Sequence, residues 1–166
     1  MSAGHTAAGA GSGAVGCIIE SIEARKVVNA VKRYLVCKGH EVVIANVDNA
    51  NSQSAYLTAV ANKANESNAD LFVSIHFNAG GGQGCECFTW KGNKTPQSVG
   101  VCDELSKLGF RNRGVKDGSD LFVIRKTKMN ALLIEVCFVD SRQDFELYKK
   151  LGVNVIAQAI TRGVLK

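Results

Sequence analysis

Two hydrophobic periods alternate along this chain, and that alternation restricts its fold more than any other feature. Short runs rich in β-branched and aromatic residues, 42–47 (VVIANV), 71–77 (LFVSIHF), 85–90 (CECFTW), 121–125 (LFVIR) and 131–139 (ALLIEVCFV), read as strands. Between them lie stretches of helical spacing, 20–38, 54–67, 97–109 and 143–164, the last broken near Gly152. In the first, Ala24, Val27, Val28, Val31, Tyr34 and Leu35 gather on one side and Arg25, Lys26, Asn29, Lys32 and Arg33 on the other, as in a helix lying on a sheet. Strand and helix in alternation give an α/β architecture with right-handed crossovers. Gly39 and Pro96 punctuate helices, and the glycine-rich 78–84 (NAGGGQG) must be a loop.

A chain of 166 residues with 46% hydrophobic side chains can bury one good core, so a single domain over 1–166 is expected. No apolar run approaches the roughly 20 residues of a spanning helix, and the first residues lack the layout of a secretory signal. Synthesis in the cytoplasm without a signal peptide, and no membrane partner, are the corresponding expectations. The net charge of +5 suits an anionic partner, but the basic residues are scattered and no nucleic-acid-reading motif accompanies them, so nucleic acid is not expected. The six cysteines, Cys17, Cys37, Cys85, Cys87, Cys102 and Cys137, sit mainly in apolar segments, which reads as reduced, buried thiols. Only Cys85 and Cys87 are closely paired, at a spacing too short for a cysteine zinc site.

A few polar residues stand where the pattern places apolar ones. At 100° per residue, Glu20 falls within roughly 25° of the centre of the first helix's apolar stripe, and Glu23 about 80° from it. Taken alone, Glu20 reads equally well as an exposed first-turn acid facing the helix dipole. His76 closes the LFVSIH strand just before a loop, the end at which α/β sheets gather ligands, although a lone histidine there is more often structural. Glu135 is the sharpest anomaly, because an acid inside ALLIEVCFV must be paired, protonated or useful. His5, set between Gly4 and the small residues that follow, has these groups to meet. His5, Glu20 and His76 offer two imidazoles and a carboxylate, a set that leaves a catalytic zinc one open position, with Glu135 as the unligated acid beside it. Their dispersal in sequence makes spacing alone weak support. His40 follows Gly39 and has no acid comparably placed.

At these residues the chain resembles the catalytic domain of zinc-dependent N-acetylmuramoyl-L-alanine amidases of bacterial walls and phage endolysins. The resemblance rests on AGHTAAGAGSGAVG (3–16), Glu20, ANESNADLFVSIHFNA (64–79) and RNRGVKDGSDLFVIRKTKMNALLIEVCFVDSRQDFELYK (111–149), and covers essentially the whole chain in order. It implies one zinc ion held by His5, Glu20 and His76, a catalytic Glu135, and a twisted, mostly parallel sheet of about six strands flanked by helices on both faces. Members of the family have a full first strand before the histidine loop, whereas only residues 1–4 precede His5 here, so that strand is expected to be short or its edge altered. The implied reaction is hydrolysis of the amide between N-acetylmuramic acid and L-alanine of the peptidoglycan stem peptide. From charge alone, Lys126 or Arg125 are candidate basic groups to attract the acidic peptide. The implied place of action is the cell wall after release from the host bacterium. A wall-binding domain is not expected within 1–166, and a separate C-terminal one is a candidate partner. Two rivals remain: a glycoside hydrolase using Glu20 and Glu135 as its paired acids, which leaves both histidines idle, and a non-catalytic wall-binding module, which leaves Glu135 unexplained.

Overall fold

The computed structural model describes residues 1–7 and 11–166, so the middle of the 3–16 motif lies outside the described residues. In chain order the elements are β1 (Ser2–Ala3), α1 (Glu20–Cys37), α2 (Gln53–Glu66), β2 (Leu71–Asn78), β3 (Cys85–Thr89), α3 (Pro96–Ser106), β4 (Asn112–Asp117), α4 (Phe122–Lys126), β5 (Asn130–Phe138) and α5 (Arg142–Val164). The strands form one sheet in the order β1-β2-β5-β3-β4. All neighbouring pairs are parallel except β3 with β5. The sheet is therefore mostly parallel, as expected, with five strands rather than about six.

Each helix begins and ends where its local chemistry allows. The hydroxyls of Ser52, Thr95 and Ser141 accept the first orphan amides of α2, α3 and α5. At the end of α1, Gly39 takes a positive φ of 86°, its N–H donates to Val36 O, and the His40 N–H donates to Leu35 O, closing the last turn. Gly152, at φ 76° and ψ 160°, interrupts α5 where the pattern breaks. Two apolar cores result, one on each face. Val27, Val28 and Val31 of α1 meet Ile75, Ile134, Val101 and Ile160 under α1, α3 and α5. On the other face Tyr56 and Val60 of α2 and Val123 and Ile124 of α4 cover Phe72 and Leu133.

Three sequence expectations need correction. Residues 42–47 form no named strand: Ala45 N–H donates to Met1 O, but the next amide, that of Ala3, is taken by the Asn46 side chain, and β1 is too short to carry a ladder. Residues 121–125 are mostly helical, since a four-residue apolar run has no period to distinguish strand from helix, and Arg125 N–H closes a turn onto Leu121 O. The edge strand β4 was not expected, because it is half-exposed and lacks apolar alternation. No helix among the described residues is long and apolar enough to cross a membrane.

Candidate metal centre

Three elements converge at the carboxyl end of β1 and β2. Glu20 opens α1 at 3% exposure, as its phase on the helix requires. Its Oε1 lies 3.1 Å from His76 Nδ1 and its Oε2 3.1 Å from His5 Nε2. One donor atom from each residue lies within 4.8 Å of the others, the one such His/Cys/Asp/Glu group found among the described residues. Glu23, one turn along α1, faces elsewhere and accepts from Tyr148 Oη at 2.9 Å and from Lys26 Nζ.

The surroundings aim these donors. The Phe77 and Ala14 N–H groups donate to Glu20 Oε1 and Oε2, fixing the carboxylate plane. His5 Nδ1 pairs with Gly11 O at 2.9 Å, leaving Nε2 inward, and His76 Nε2 pairs with Ser74 Oγ at 3.0 Å, leaving Nδ1 inward. Two glycines make the approach possible. A Cβ on Gly4 would stand 2.4 Å from the His76 ring, and one on Gly13 would stand 2.6 Å from the His5 ring and 2.7 Å from Glu20 Oε2. His5 itself holds a left-handed φ of 70°, a strained conformation for a residue with a side chain.

Burial opposes ionisation of Glu20, but the hydrogen bonds from His5 and His76 and their charge outweigh it and hold the carboxyl far below the ordinary carboxylate range. Burial likewise disfavours the His5 cation, and the hydrogen bond and charge of Glu20 overcome it, raising the imidazole's pKa. The field that draws a proton to the ring would draw a metal cation in its place. Two imidazole nitrogens and one carboxylate, oriented by backbone and hydroxyl partners, fit zinc with a coordination position left for water or substrate.

Glu135 sits beside His76 in register across β2 and β5. Its Oε2 is closed off from solvent and has no hydrogen-bond partner among the described residues, an unusual state for a buried carboxylate oxygen. Burial pushes its pKa well above the ordinary value, and the charges of Glu20 and Glu86 push it further. On the far side of β5, Glu135 faces Glu86 of β3 in register. Glu86 is buried and accepts from Asn78 Nδ2 at 2.7 Å and from Arg113 Nε at 2.8 Å. Sequence reading missed Glu86, Asn78 and Arg113. Glu86 in CECFTW showed the same anomaly as Glu135, an acid inside a strand run, but its two flanking cysteines drew the attention.

Other expected groups lie elsewhere. Arg125 and Lys126 end α4, just before the first residue of β5 and at the opposite end of the sheet from Glu135, where Asn65 at the end of α2 donates to Lys126 O. They are not placed to meet a substrate at the site. His40 is exposed and lines a cavity of about 430 Å³ at that same amino end. All six cysteines are free, as expected, but Cys17 and Cys37 are exposed rather than buried, because Cys17 precedes α1 and Cys37 ends it on the polar side.

Residues 1–166 match the model of a family described as N-acetylmuramoyl-L-alanine amidase. The chain is 34% identical to the endolysin of Bacillus phage SPP1, over 99% of this chain and 63% of that one. It is 36% identical to the N-acetylmuramoyl-L-alanine amidase CwlM of Bacillus licheniformis, over 79% of this chain and 52% of that one. Among solved structures, the catalytic domain of an endolysin targeting Clostridia difficile superimposes with a TM-score of 0.90 at 28% identity, covering 99% of this chain and 94% of that one. Two Clostridium perfringens relatives, 35% and 36% identical, match over 92% and 93% of this chain, which spans 47% of the length of each.

Proposed function

The chain belongs to the N-acetylmuramoyl-L-alanine amidase family, and from that premise we propose that it hydrolyses the amide joining N-acetylmuramic acid to the L-alanine of the peptidoglycan stem peptide. His5, Glu20 and His76 hold one zinc ion, and Glu135 moves the proton. The observation that carries this reading is the meeting of three aimed donor atoms with an unpartnered, buried carboxylate oxygen next to them. Bound zinc supplies a Lewis acid that polarises the amide carbonyl and lowers the pKa of water.

The chain's own residues do the rest. The Glu135 carboxylate, whose Oε2 is engaged by no donor among the described residues, accepts the proton of the attacking water and delivers it to the leaving alanine nitrogen. Its buried setting, with Glu20 and Glu86 nearby, strengthens its hold on that proton between the two steps. Glu20 remains ionised throughout, because its partners favour the charged form. The two neighbouring carboxylates thus differ in proton affinity: burial and the nearby charges raise that of Glu135, and the hydrogen bonds from His5 and His76 lower that of Glu20.

The test pairs zinc analysis of the purified protein with chemical identification of what a peptidoglycan digest releases. One zinc per chain, new alanine amino groups and loss of lysis on chelation are expected. New reducing sugars without new amines, unaffected by chelator, would point instead to a glycosidase built on Glu20 and Glu135. Binding to walls without any release would leave a non-catalytic module.

A further inference from the structure

On the α2/α4 face of the sheet, the register aligns one polar row across four strands. Glu135 of β5 is the register partner of His76 of β2 on one side and of Glu86 of β3 on the other, so the three side chains share a face. The pairing of β3 with β4 shifts between Cys85 and Cys87, so Arg113 and Gly114 together oppose Glu86, and the Arg113 side chain turns onto it. One pleat lower, Ser74, Leu133 and Phe88 form the next row, and Leu133 is already buried in the core beneath α2 and α4. The polar row is therefore the first level of the sheet above that core, open toward the carboxyl end of β2.

Arg113 ends the row in a defined pose. Its Nε donates to Glu86 Oε2 at 2.8 Å, and its guanidinium carbon stands 5.0 Å over the ring of Phe138. Phe138 is itself pinned against the glycine loop, since a Cβ on Gly82 would meet its ring at 2.3 Å. The side chain is 31% exposed, and no described residue engages either terminal nitrogen. A guanidinium fixed through Nε and one face keeps its outer N–H groups as a fork for a planar oxyanion.

We propose that Arg113 determines substrate specificity by binding a carboxylate on the peptide side of the scissile amide, at the second residue of the stem. This rests on the amidase reading above. The span fits: Arg113 is rooted two strand spacings from Glu135, about 10 Å, but leans back toward Glu86 on the intervening strand. An extended peptide advances about 7 Å in two residues, which brings a second-residue carboxylate from Glu135 to the guanidinium fork. Glu86 serves as a positioning residue, holding Nε so that the fork faces outward.

The experiment uses two muramoyl tripeptides, one with a free α-carboxylate at the second stem residue and one with that group amidated, together with the matching alanyl tripeptides lacking the sugar. Hydrolysis is followed by new alanine amines, and binding of the alanyl tripeptides by calorimetry. The acid form should bind about tenfold tighter than the amide, the scale of one charge-assisted hydrogen bond. Arg113→Met should bring that ratio close to one, and Arg113→Lys should leave it in between. Arg113→Met strands the buried Glu86 charge, so the double variant Glu86→Gln/Arg113→Met is measured beside it. Loss of the ratio in the double variant as well supports recognition by Arg113 itself. Its return overturns the proposal, as does an acid-to-amide ratio of one in the unmodified protein. Should the calorimetric ratio depend on Arg113 while no alanine amine is ever released, the amidase reading fails and carboxylate recognition stands.

Discussion

The two ends of the sheet carry opposite solutions to the same problem. At the amino end, where β2 and β5 begin, the chain leaves a cavity of about 430 Å³ bordered by Val73, Phe72, Ala64, Val42 and Leu165, with His40 on its rim. At the carboxyl end of β2, His5, Glu20 and His76 crowd so closely that Gly4 and Gly13 could not be alanine without displacement. Volume and chemistry have separated. A cavity forms where packing is incomplete, whereas polar side chains converge where strand ends, a helix start and a glycine loop meet and supply backbone N–H and C=O groups to aim them. In this chain the donors converge at the end of the sheet opposite that cavity.

The sharpest way to break that contrast is Glu135→Gln. The amide preserves shape, so zinc content should stay at the level of the unmodified protein while the rate of wall lysis falls on the order of 10²–10⁴-fold. Zinc analysis and lysis are measured on the same preparation, and lysis restored by excess zinc would make Glu135 a ligand. The same variant has a stability consequence. Because the folded-state pKa of Glu135 lies above its ordinary value of 4.5, ionisation is disfavoured in the fold, and the cost appears as pH rises past that value. Metal-free Glu135→Gln should therefore melt at or above the unmodified protein at pH 7, with the difference vanishing below about pH 4.

Next in size is the pair of first-turn glutamates. Glu20→Gln should weaken zinc binding more than tenfold, with lysis partly recovered by added zinc, whereas Glu23→Gln should keep both. The reverse result would show that the helical phase had been misread. This part of the site was legible in the sequence, because a carboxylate in the centre of an apolar stripe is an anomaly that a 100° period exposes. Glu135 was legible for the same reason in a strand. The parallel sheet and the break at Gly152 were also readable, since apolar runs and a glycine in a helical pattern each have a direct backbone meaning. Register was not. Glu86 and Arg113 join the site only because β3 runs antiparallel to β5 and shifts against β4, and no local pattern encodes a neighbour in another strand. The 121–125 and 42–47 segments were misread because short apolar runs take their conformation from what they pack against, here α2 in one case and the two-residue β1 in the other.

Ser74→Ala tests how far the aiming groups matter. Ser74 Oγ pairs with His76 Nε2 at 3.0 Å and with Ser2 Oγ at 3.1 Å, tying the imidazole to β1. Its loss frees the ring without removing a donor to the metal. Zinc affinity should drop about 10–100-fold by competition with a chelator of known strength, with the fold unchanged. An unchanged affinity would mean that packing alone, against Gly4, orients His76.

The smallest effect is expected at the other end of the molecule. His40, the one histidine of the three outside the candidate metal centre, is exposed on the rim of the amino-end cavity and follows the glycine that terminates α1. Its backbone N–H already closes that helix by donating to Leu35 O, and alanine keeps this bond. An exposed substitution of this kind typically shifts stability by no more than about 0.5 kcal/mol. His40→Ala should retain one zinc per chain, and its lysis rate should stay within about twofold of the unmodified protein, a change of roughly 0.4 kcal/mol in barrier. The measurement is most telling beside His5→Ala, in which the same chemical deletion removes a donor and should abolish zinc binding. A tenfold loss of lysis in His40→Ala with zinc retained would show that the amino-end cavity takes part in the reaction, and the division between the two ends of the sheet would then be wrong.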